Sequence, residues 1–176
     1  MAIAVRSRGK GKTKPHTSRS RSARLNVIAL LKNDHREVQD MFDKVEKLGE
    51  RATEQRRKLG ERICQALELH SKFEENVFYP QIRERAEDHE ERKQLLEALE
   101  EHAIVDRLVE ELKGMDATDE RYEAKLNVVA EAVRHHIKEE EREMFPLARE
   151  MFEPEELAQM GERLAEEKRN AGMPVA

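Results

Sequence analysis

The sequence predicts an all-α protein whose main part is an up-down-up-down four-helix bundle. Charged residues make up 40% of the 176 residues, aromatic residues only 4%, and tryptophan is absent. This composition is typical of long amphipathic helices and argues against a β-sandwich. Four long segments carry apolar residues at helical spacing, and none has the alternating pattern of a strand. Helices of this length joined by short loops are typical of an antiparallel bundle.

The first two predicted helices cover residues 26–48 and 53–79. Apolar side chains recur along both at the spacing of one helical face. Gly49 follows the first helix as a stop signal, and Thr53 is the expected N-cap of the second. Pro80 has no backbone amide hydrogen, so we expect it to end or kink the second helix.

The third and fourth predicted helices cover residues 88–113 and 118–145, and Gly114 closes the third. A short fifth helix is expected to open at Pro154, which two acidic residues follow in the first turn. Its apolar face would pack on one end of the bundle or on a partner. That face consists of Leu157, Met160 and Leu164.

We divide the chain into a disordered basic tail, a four-helix bundle and a C-terminal helix with its tail. These parts cover residues 1–24, 25–150 and 151–176. The basic tail contains eight Lys or Arg residues and no acidic residue, and it has too little apolar surface to offset the entropy of ordering. Its charge predicts a weak contact with nucleic acid or another polyanion. The alternatives are a solvated tail without a function and, ranked last, an organelle transit peptide.

The cysteine content and the lengths of the apolar runs predict the compartment of the protein. Cys64 is the only cysteine, which argues against a disulfide framework and favours a reducing cytoplasm. No apolar run approaches the roughly 20 residues that span a bilayer. We therefore expect a soluble, cytoplasmic protein without membrane contact.

Two similar stretches organise the chain, one in each half of the bundle. Residues 70–80 read HSKFEENVFYP and residues 136–146 read HIKEEEREMFP, so both share the histidine, the lysine, two glutamates and the final proline. One further histidine precedes each stretch by nearly the same distance: His35 precedes the first and His102 the second. Each of the four helices therefore contributes one histidine to its own apolar face.

These histidines and the glutamates four residues after two of them predict a metal site. A lone histidine in an apolar stripe is more often a core residue than a ligand, but four of them with two aligned glutamates reverse that expectation. Burying such groups without compensation would cost several kcal/mol per charge, which bound cations would avoid. The candidate ligands are His35, His70, Glu74, His102, His136 and Glu140.

The types of ligand narrow the choice of metal. Imidazole and carboxylate without thiolate favour Fe, Mn, Zn or Cu over Ca or Mg, and two carboxylates able to bridge suggest two ions. The ferritin-like class is disfavoured because no acid stands three residues before any of the four histidines. His135 has the same spacing to Glu139, but His136 shares the apolar face of Val129 and Val133.

The chain resembles the hemerythrin-like HHE cation-binding family over about residues 25–150. The matching marks are the Asp34-His35 and Glu101-His102 pairs and the two repeated stretches. The resemblance implies a bundle that holds a non-haem di-iron centre, with two iron ions joined by an oxo or hydroxo bridge. It implies the four histidines as terminal ligands and the two glutamates as bridging ligands. It also implies that the pair binds O2 or reacts with peroxide or nitric oxide.

Two departures from the oxygen-carrying members put reversible oxygen transport in doubt. Those members have a fifth histidine four residues after the one matching His102, where this chain has Asp106. They also have a His-x4-Asp spacing in the last helix, where this chain has His136-x3-Glu140. Asp106 could serve as a carboxylate ligand or be an ordinary acid at the helix boundary.

The sequence thus predicts a metal-binding protein that binds or senses O2 or a related oxidant, and a binding protein is favoured over an enzyme. The first alternative is a di-iron enzyme that turns over peroxide or nitric oxide. Both functions need an open coordination position, so the ligand set does not separate them. The second alternative is a metal-free helical interaction module.

Overall fold

The computed structural model describes residues 26–175, and all regular structure in that range is helical. Two π-helical turns, π1 and π2, join consecutive α-helices into longer rods, so that α2 continues through π1 into α3, and α5 through π2 into α6. The basic tail predicted for residues 1–24 lies outside the described residues. The segments are α1 (Val27–Glu46), α2 (Thr53–Phe73), π1 (Glu74–Phe78), α3 (Tyr79–Arg85), α4 (His89–Lys113), α5 (Tyr122–Glu139), π2 (Glu140–Met144), α6 (Phe145–Met151) and α7 (Pro154–Asn170).

The four long rods form the predicted bundle. Helix α1 packs on α2 and α5, and α4 packs on the same two helices from the other side. Short connections join successive rods, as an up-down-up-down bundle requires. The prediction of an all-α fold with a further C-terminal helix is therefore confirmed for the described part of the chain.

Side-chain caps mark the starts of α1 and α4, but the cap that the sequence predicted for α2 is absent. The Asn26 side chain accepts hydrogen bonds from the first turn of α1, and Asp88 forms a capping box with Glu91 at the start of α4. Thr53 is not a cap, because it is already the first residue of α2. Helix α5 begins at Tyr122, later than predicted.

The late start of α5 has a local cause. The Asp116 carboxylate accepts a hydrogen bond from the backbone N–H of Thr118 at 2.8 Å, and Asp119 does the same for Arg121 at 2.8 Å. Such side-chain bonds compete with helical hydrogen bonds and hold the segment in turns.

Pro80 does not end its helix, one of the two outcomes that the sequence predicted. The rod widens into π1 before the proline, and the N–H of Tyr79 reaches the carbonyl oxygen of Glu74, five residues earlier. The same arrangement joins Phe145 to Glu140 in π2. Because proline lacks an N–H and its ring crowds the preceding turn, a π turn is a way to continue the helix past it. Both turns begin at a predicted glutamate ligand.

The core consists of two apolar clusters separated by a polar layer. On α1, Leu31 belongs to one cluster and Val38 to the other, and His35 lies between them. On α4, His102 lies in the same way between Ala98 and Val105. The histidines therefore occupy one level of the bundle, with apolar packing above and below.

Helix α7 is longer than the short segment predicted and packs on the bundle. Its buried residues join the apolar cluster formed by the start of α1 and by α3 and α6. Those residues include the predicted apolar face, Leu157, Met160 and Leu164. Across residues 26–175, no helix is both long and apolar enough to cross a membrane.

Candidate metal centre

The six predicted ligands meet in the polar layer. Each long rod of the bundle contributes one histidine, and π1 and π2 each contribute their first residue, a glutamate. Their relative exposure does not exceed 8%, so water does not compensate their polarity. The six are His35, His70, Glu74, His102, His136 and Glu140.

Four of these side chains form the first half of the centre. The Nε2 atoms of His35 and His70 are 3.3 Å apart. Glu74 Oε1 lies 3.1 Å from His70 Nε2, and Glu140 Oε2 lies 3.2 Å from His35 Nε2. All four donor atoms lie within 4.8 Å of one another, which is close enough for one cation to contact them all.

The second half contains His102 and His136, whose Nε2 atoms are 3.1 Å apart. The other oxygen of Glu74, Oε2, lies 3.3 Å from His102 Nε2, so Glu74 faces both halves at once. Glu140 belongs only to the first half. Its second oxygen, Oε1, lies 3.3 Å from the hydroxyl of Tyr79. The two halves are therefore unequal, with four protein donors in the first and three in the second.

The buried carboxylate oxygens fit a cation better than they fit the protein alone. Both oxygens of Glu74 and Oε2 of Glu140 are buried without a hydrogen-bond partner among the described residues. Buried polar atoms normally have such a partner, and an unpaired carboxylate oxygen is costly. An imidazole Nε2 atom lies between 3.1 and 3.3 Å from each of these oxygens. The cluster thus has the donor types and the convergence of a metal site.

Each histidine also faces a second carboxylate through its other ring nitrogen. A proton on Nδ1 held by that carboxylate leaves the lone pair of Nε2 free for a cation. Three of these contacts have hydrogen-bond length, and the fourth, between Asp34 and His70, is 3.8 Å long. The others are Glu141 with His35 at 3.0 Å, Glu75 with His102 at 3.0 Å and Glu101 with His136 at 2.9 Å.

These outer carboxylates follow the sequence repeat in a crossed pattern. The acid before the first histidine of each repeat faces the second histidine of the same repeat, as Glu101 faces His136. The acid after each central glutamate faces the first histidine of the other repeat, as Glu75 faces His102. In the sequence, an acid stands directly before the first histidine of each repeat and directly after each central glutamate. Only the fold shows which histidine each of these acids contacts.

Electrostatics within the layer set different protonation tendencies for the two glutamates. Burial by itself would raise the pKa of Glu74, but His70 and His102 outweigh burial and hold the pKa well below its usual range. Burial, followed by the negative charge of Glu74, raises the pKa of Glu140. Burial lowers the pKa of His70, but Glu74 and Asp34 outweigh it and raise that pKa well above its usual range. Without a metal, protons on His70 and Glu140 therefore offset part of the negative charge that a bound cation would offset.

Tyr79 is a site residue that the sequence analysis treated as packing only. Its hydroxyl lies 3.3 Å from both Glu140 Oε1 and His102 Nε2. Burial, followed by the charges of Glu140 and Glu74, raises the pKa of the phenol, which keeps it a neutral donor. Phe145 holds the equivalent place in the second repeat, where its ring stacks on His35. The sequence signal that could have identified Tyr79 is that tyrosine precedes Pro80 whereas phenylalanine precedes Pro146.

Two residues left open by the sequence lie outside the cluster. The side chain of Asp106 is exposed and belongs to neither half of the centre, so it does not replace a fifth histidine there. His135 is also exposed, and its Nε2 lies 3.2 Å from Glu101 Oε1. His136, the alternative to His135, is buried in the second half.

A small cavity and a wider groove both border the centre. A cavity of about 30 Å³ lies against the histidines, and its apolar lining includes Val38, Leu67, Val133 and Met173. A wider groove of about 590 Å³ between α4 and the rod of α5 and π2 reaches His136 and is lined by several glutamates. The cavity has room for a single small molecule.

A helical bundle whose polar layer joins four histidines to two buried glutamates defines a class of metal-binding helical protein. The chain belongs to the family described as hemerythrin HHE cation binding domain, whose model matches residues 26–148. The predicted resemblance to this family is therefore confirmed, and the His/Glu cluster fits the cation site for which the family is named.

A solved structure supports the fold independently. The crystal structure of a hemerythrin HHE cation binding domain-containing protein from Mycobacterium kansasii aligns with a TM-score of 0.69. The two chains are 24% identical, and the alignment covers 84% of this chain and 88% of that chain. At this identity the similarity establishes the fold alone. No curated protein matches the chain.

Proposed function

We propose that the centre holds two iron ions and that the protein binds or senses O2 or a related small oxidant in the cytoplasm. The observation that carries the proposal is the position of Glu74. Its two oxygens are buried without hydrogen-bond partners, and each faces a different pair of histidines. One carboxylate shared in this way suits two cations better than one.

The assignment of ligands follows from the two halves of the centre. His35, His70 and Glu140 would hold the first ion, His102 and His136 would hold the second, and Glu74 would contact both. Iron held there would supply reversible redox chemistry and a coordination position for a small ligand. The outer carboxylates would keep each Nε2 directed at the centre.

The nature of the ligand is inferred from the surroundings of the second half. That half has fewer protein donors, and the neutral Tyr79 hydroxyl is within hydrogen-bond distance of it. The small cavity and its apolar walls favour a molecule that is small and uncharged. Dioxygen, hydrogen peroxide and nitric oxide all satisfy these conditions, and binding or sensing is favoured over turnover.

Metal analysis combined with an optical spectrum tests this function. Purified protein from iron-replete cells should contain about two irons per chain and show a ligand-to-metal charge-transfer band that changes on exposure to O2. His70→Ala and His136→Ala should each lose iron and the band. His135→Ala is the matched control, because His135 is adjacent in sequence but exposed and outside the cluster.

Two results would contradict the proposal. A well-folded protein that contains no metal and takes up no added Fe(II) would exclude the centre and favour the interaction module. Sustained turnover of peroxide or nitric oxide by the loaded protein would replace binding or sensing with enzymatic activity. A single stoichiometric oxidation would support the proposed function.

A further inference from the structure

Lys168 is a buried cation close to the centre, and it comes from outside the family match. It lies near the end of α7, beyond residues 26–148, and its relative exposure is 1%. Its ammonium group donates a hydrogen bond to Asp34 Oδ1. A lysine at this depth is rare and requires a partner, and here the partner is a carboxylate that also faces the metal centre.

Asp34 connects Lys168 to the first half of the centre. One of its oxygens accepts from Lys168, and the other remains 3.8 Å from His70 Nδ1, which is too long for a hydrogen bond. His70 Nδ1 is accordingly buried without a hydrogen-bond partner among the described residues. Asp34 and Lys168 thus form an ion pair beside His70.

A second lysine completes the same pattern on the first half. The outer carboxylate of His35 is Glu141, and Lys32 donates a hydrogen bond to it at 2.7 Å. Both outer carboxylates of the first half therefore have a lysine partner. Lys32 is about one-third exposed, so water and salt screen its charge more than that of Lys168.

Among the described residues, the outer carboxylates of the second half have no such lysine partners. Glu75 contacts His102, and Glu101 contacts His135 and His136, but within residues 26–175 neither acid has a Lys or Arg within salt-bridge distance. The first half has one more carboxylate donor, Glu140, while its outer acids are neutralised. The lysines thus offset the extra negative charge of that half.

We propose that Lys168 is a positioning residue that, through Asp34, keeps a positive charge behind His70 and weakens cation binding in the first half of the centre. The inference rests on the proposed metal centre and adds a role for α7 in it. By drawing Asp34 away from a hydrogen bond with His70, the lysine also limits how strongly that imidazole donates to a cation. The two metal positions should therefore differ less in affinity than their donor counts suggest.

Titration of metal-stripped protein with Co(II) tests the inference, because cobalt binding is visible by absorption without any activity assay. Lys168→Met removes the charge and keeps the length of the side chain. We expect it to tighten the binding step that His35→Ala eliminates, by about tenfold. Asp34→Asn removes the opposite charge and should weaken the same step by a similar factor. Lys168→Arg, which keeps the charge, should bind as the wild type does.

The opposite signs separate a charge effect from a structural effect. Breaking the ion pair from either side would disturb the packing of α7 alike, so a structural role predicts changes in one direction. The double variant Asp34→Asn/Lys168→Met buries neither charge and should return towards wild-type affinity. Leu164→Ala loosens the packing of α7 without touching the ion pair, so it should lower thermal stability but leave cobalt affinity unchanged.

The outcomes also separate this inference from the proposed function. One outcome is that the wild type takes up cobalt in two steps while Lys168→Met and Asp34→Asn leave the cobalt affinity unchanged or shift it in the same direction. That result would overturn the role of Lys168 but not the metal centre. A wild-type protein that bound no cobalt and no iron would overturn both.

Discussion

Glu74 and Glu140 show how two residues in nearly identical sequence contexts acquire different roles. Each stands four residues after a histidine and is followed by a second glutamate. In the structure Glu74 faces both pairs of histidines, whereas Glu140 faces one pair and Tyr79. Tyr79 supplies the hydroxyl that contacts Glu140, whereas Phe145, at the equivalent place in the second repeat, has no hydroxyl to offer.

This difference predicts unequal effects of removing the two charges. Glu74→Gln should abolish binding at both metal positions, because both lose a carboxylate donor. Glu140→Gln should weaken the first position and leave the second able to bind. Metal content per chain after loading and desalting measures both effects. Glu143→Gln is the control, since Glu143 lies outside the cluster. Equal loss in Glu74→Gln and Glu140→Gln would show that both glutamates bridge.

Gly60 in helix α2 leaves room for the side chain of Tyr122, the first residue of α5. Gly60 looks unfavourable within a helical pattern, because glycine costs about 1 kcal/mol relative to alanine there. In the structure, a Cβ at residue 60 would overlap the hydroxyl oxygen of the buried Tyr122 and lie 3.3 Å from its Cζ. The missing side chain therefore admits the tyrosine that starts α5.

Gly60→Ala should consequently destabilise the protein although alanine favours helix. We expect overpacking to cost about 1–3 kcal/mol, which exceeds or equals the gain in helix propensity. The double variant Gly60→Ala/Tyr122→Phe removes the overlapping oxygen and should recover most of the lost stability. Chemical denaturation of the two variants and of Tyr122→Phe alone gives the comparison. A Gly60→Ala variant that is more stable than the wild type would show that Tyr122 leaves room for a side chain at residue 60.

The polar layer makes the stability of the whole bundle depend on pH when metal is absent. The pKa of His70 is raised above 6.5, so the stabilisation from its protonated form is complete below pH 6.5 and is lost as pH rises through the raised pKa. The raised pKa of Glu140 acts in the same direction, because the fold favours its neutral form. The lowered pKa of Glu74 has the opposite sign, and its contribution is lost as pH falls below 4.5.

Metal-free protein should therefore lose thermal stability as pH is raised above 6.5. Metal-loaded protein should lose less, because a cation replaces the protons that hold the buried carboxylates. Melting curves of both forms at several pH values, with a chelator in the metal-free samples, measure the difference. A gap between the two melting temperatures that stays constant with pH would contradict this view of the layer. A metal that does not bind the folded state would produce no gap.

The sequence could predict those features that depend on local spacing. Helical periodicity located the four rods, and the apolar stripe selected His136 over His135 because only one of two adjacent residues can face the core. The predicted start of the third helix near residue 88 agrees with the helix cap at Asp88. The sequence did not predict the π turn that carries the helix past Pro80, because its extra residue is invisible in the spacing of side chains.

By itself, the sequence determined an all-helical bundle and six polar side chains on its inner faces, since both follow from the periodicity of one helix at a time. Only the tertiary structure decided which outer carboxylate meets which histidine, that Tyr79 joins the centre, and that Lys168 reaches it from α7. These contacts join residues far apart in the chain, and their geometry depends on how the rods are packed against one another. Packing is a property of several helices together, so no single stretch of the sequence encodes it.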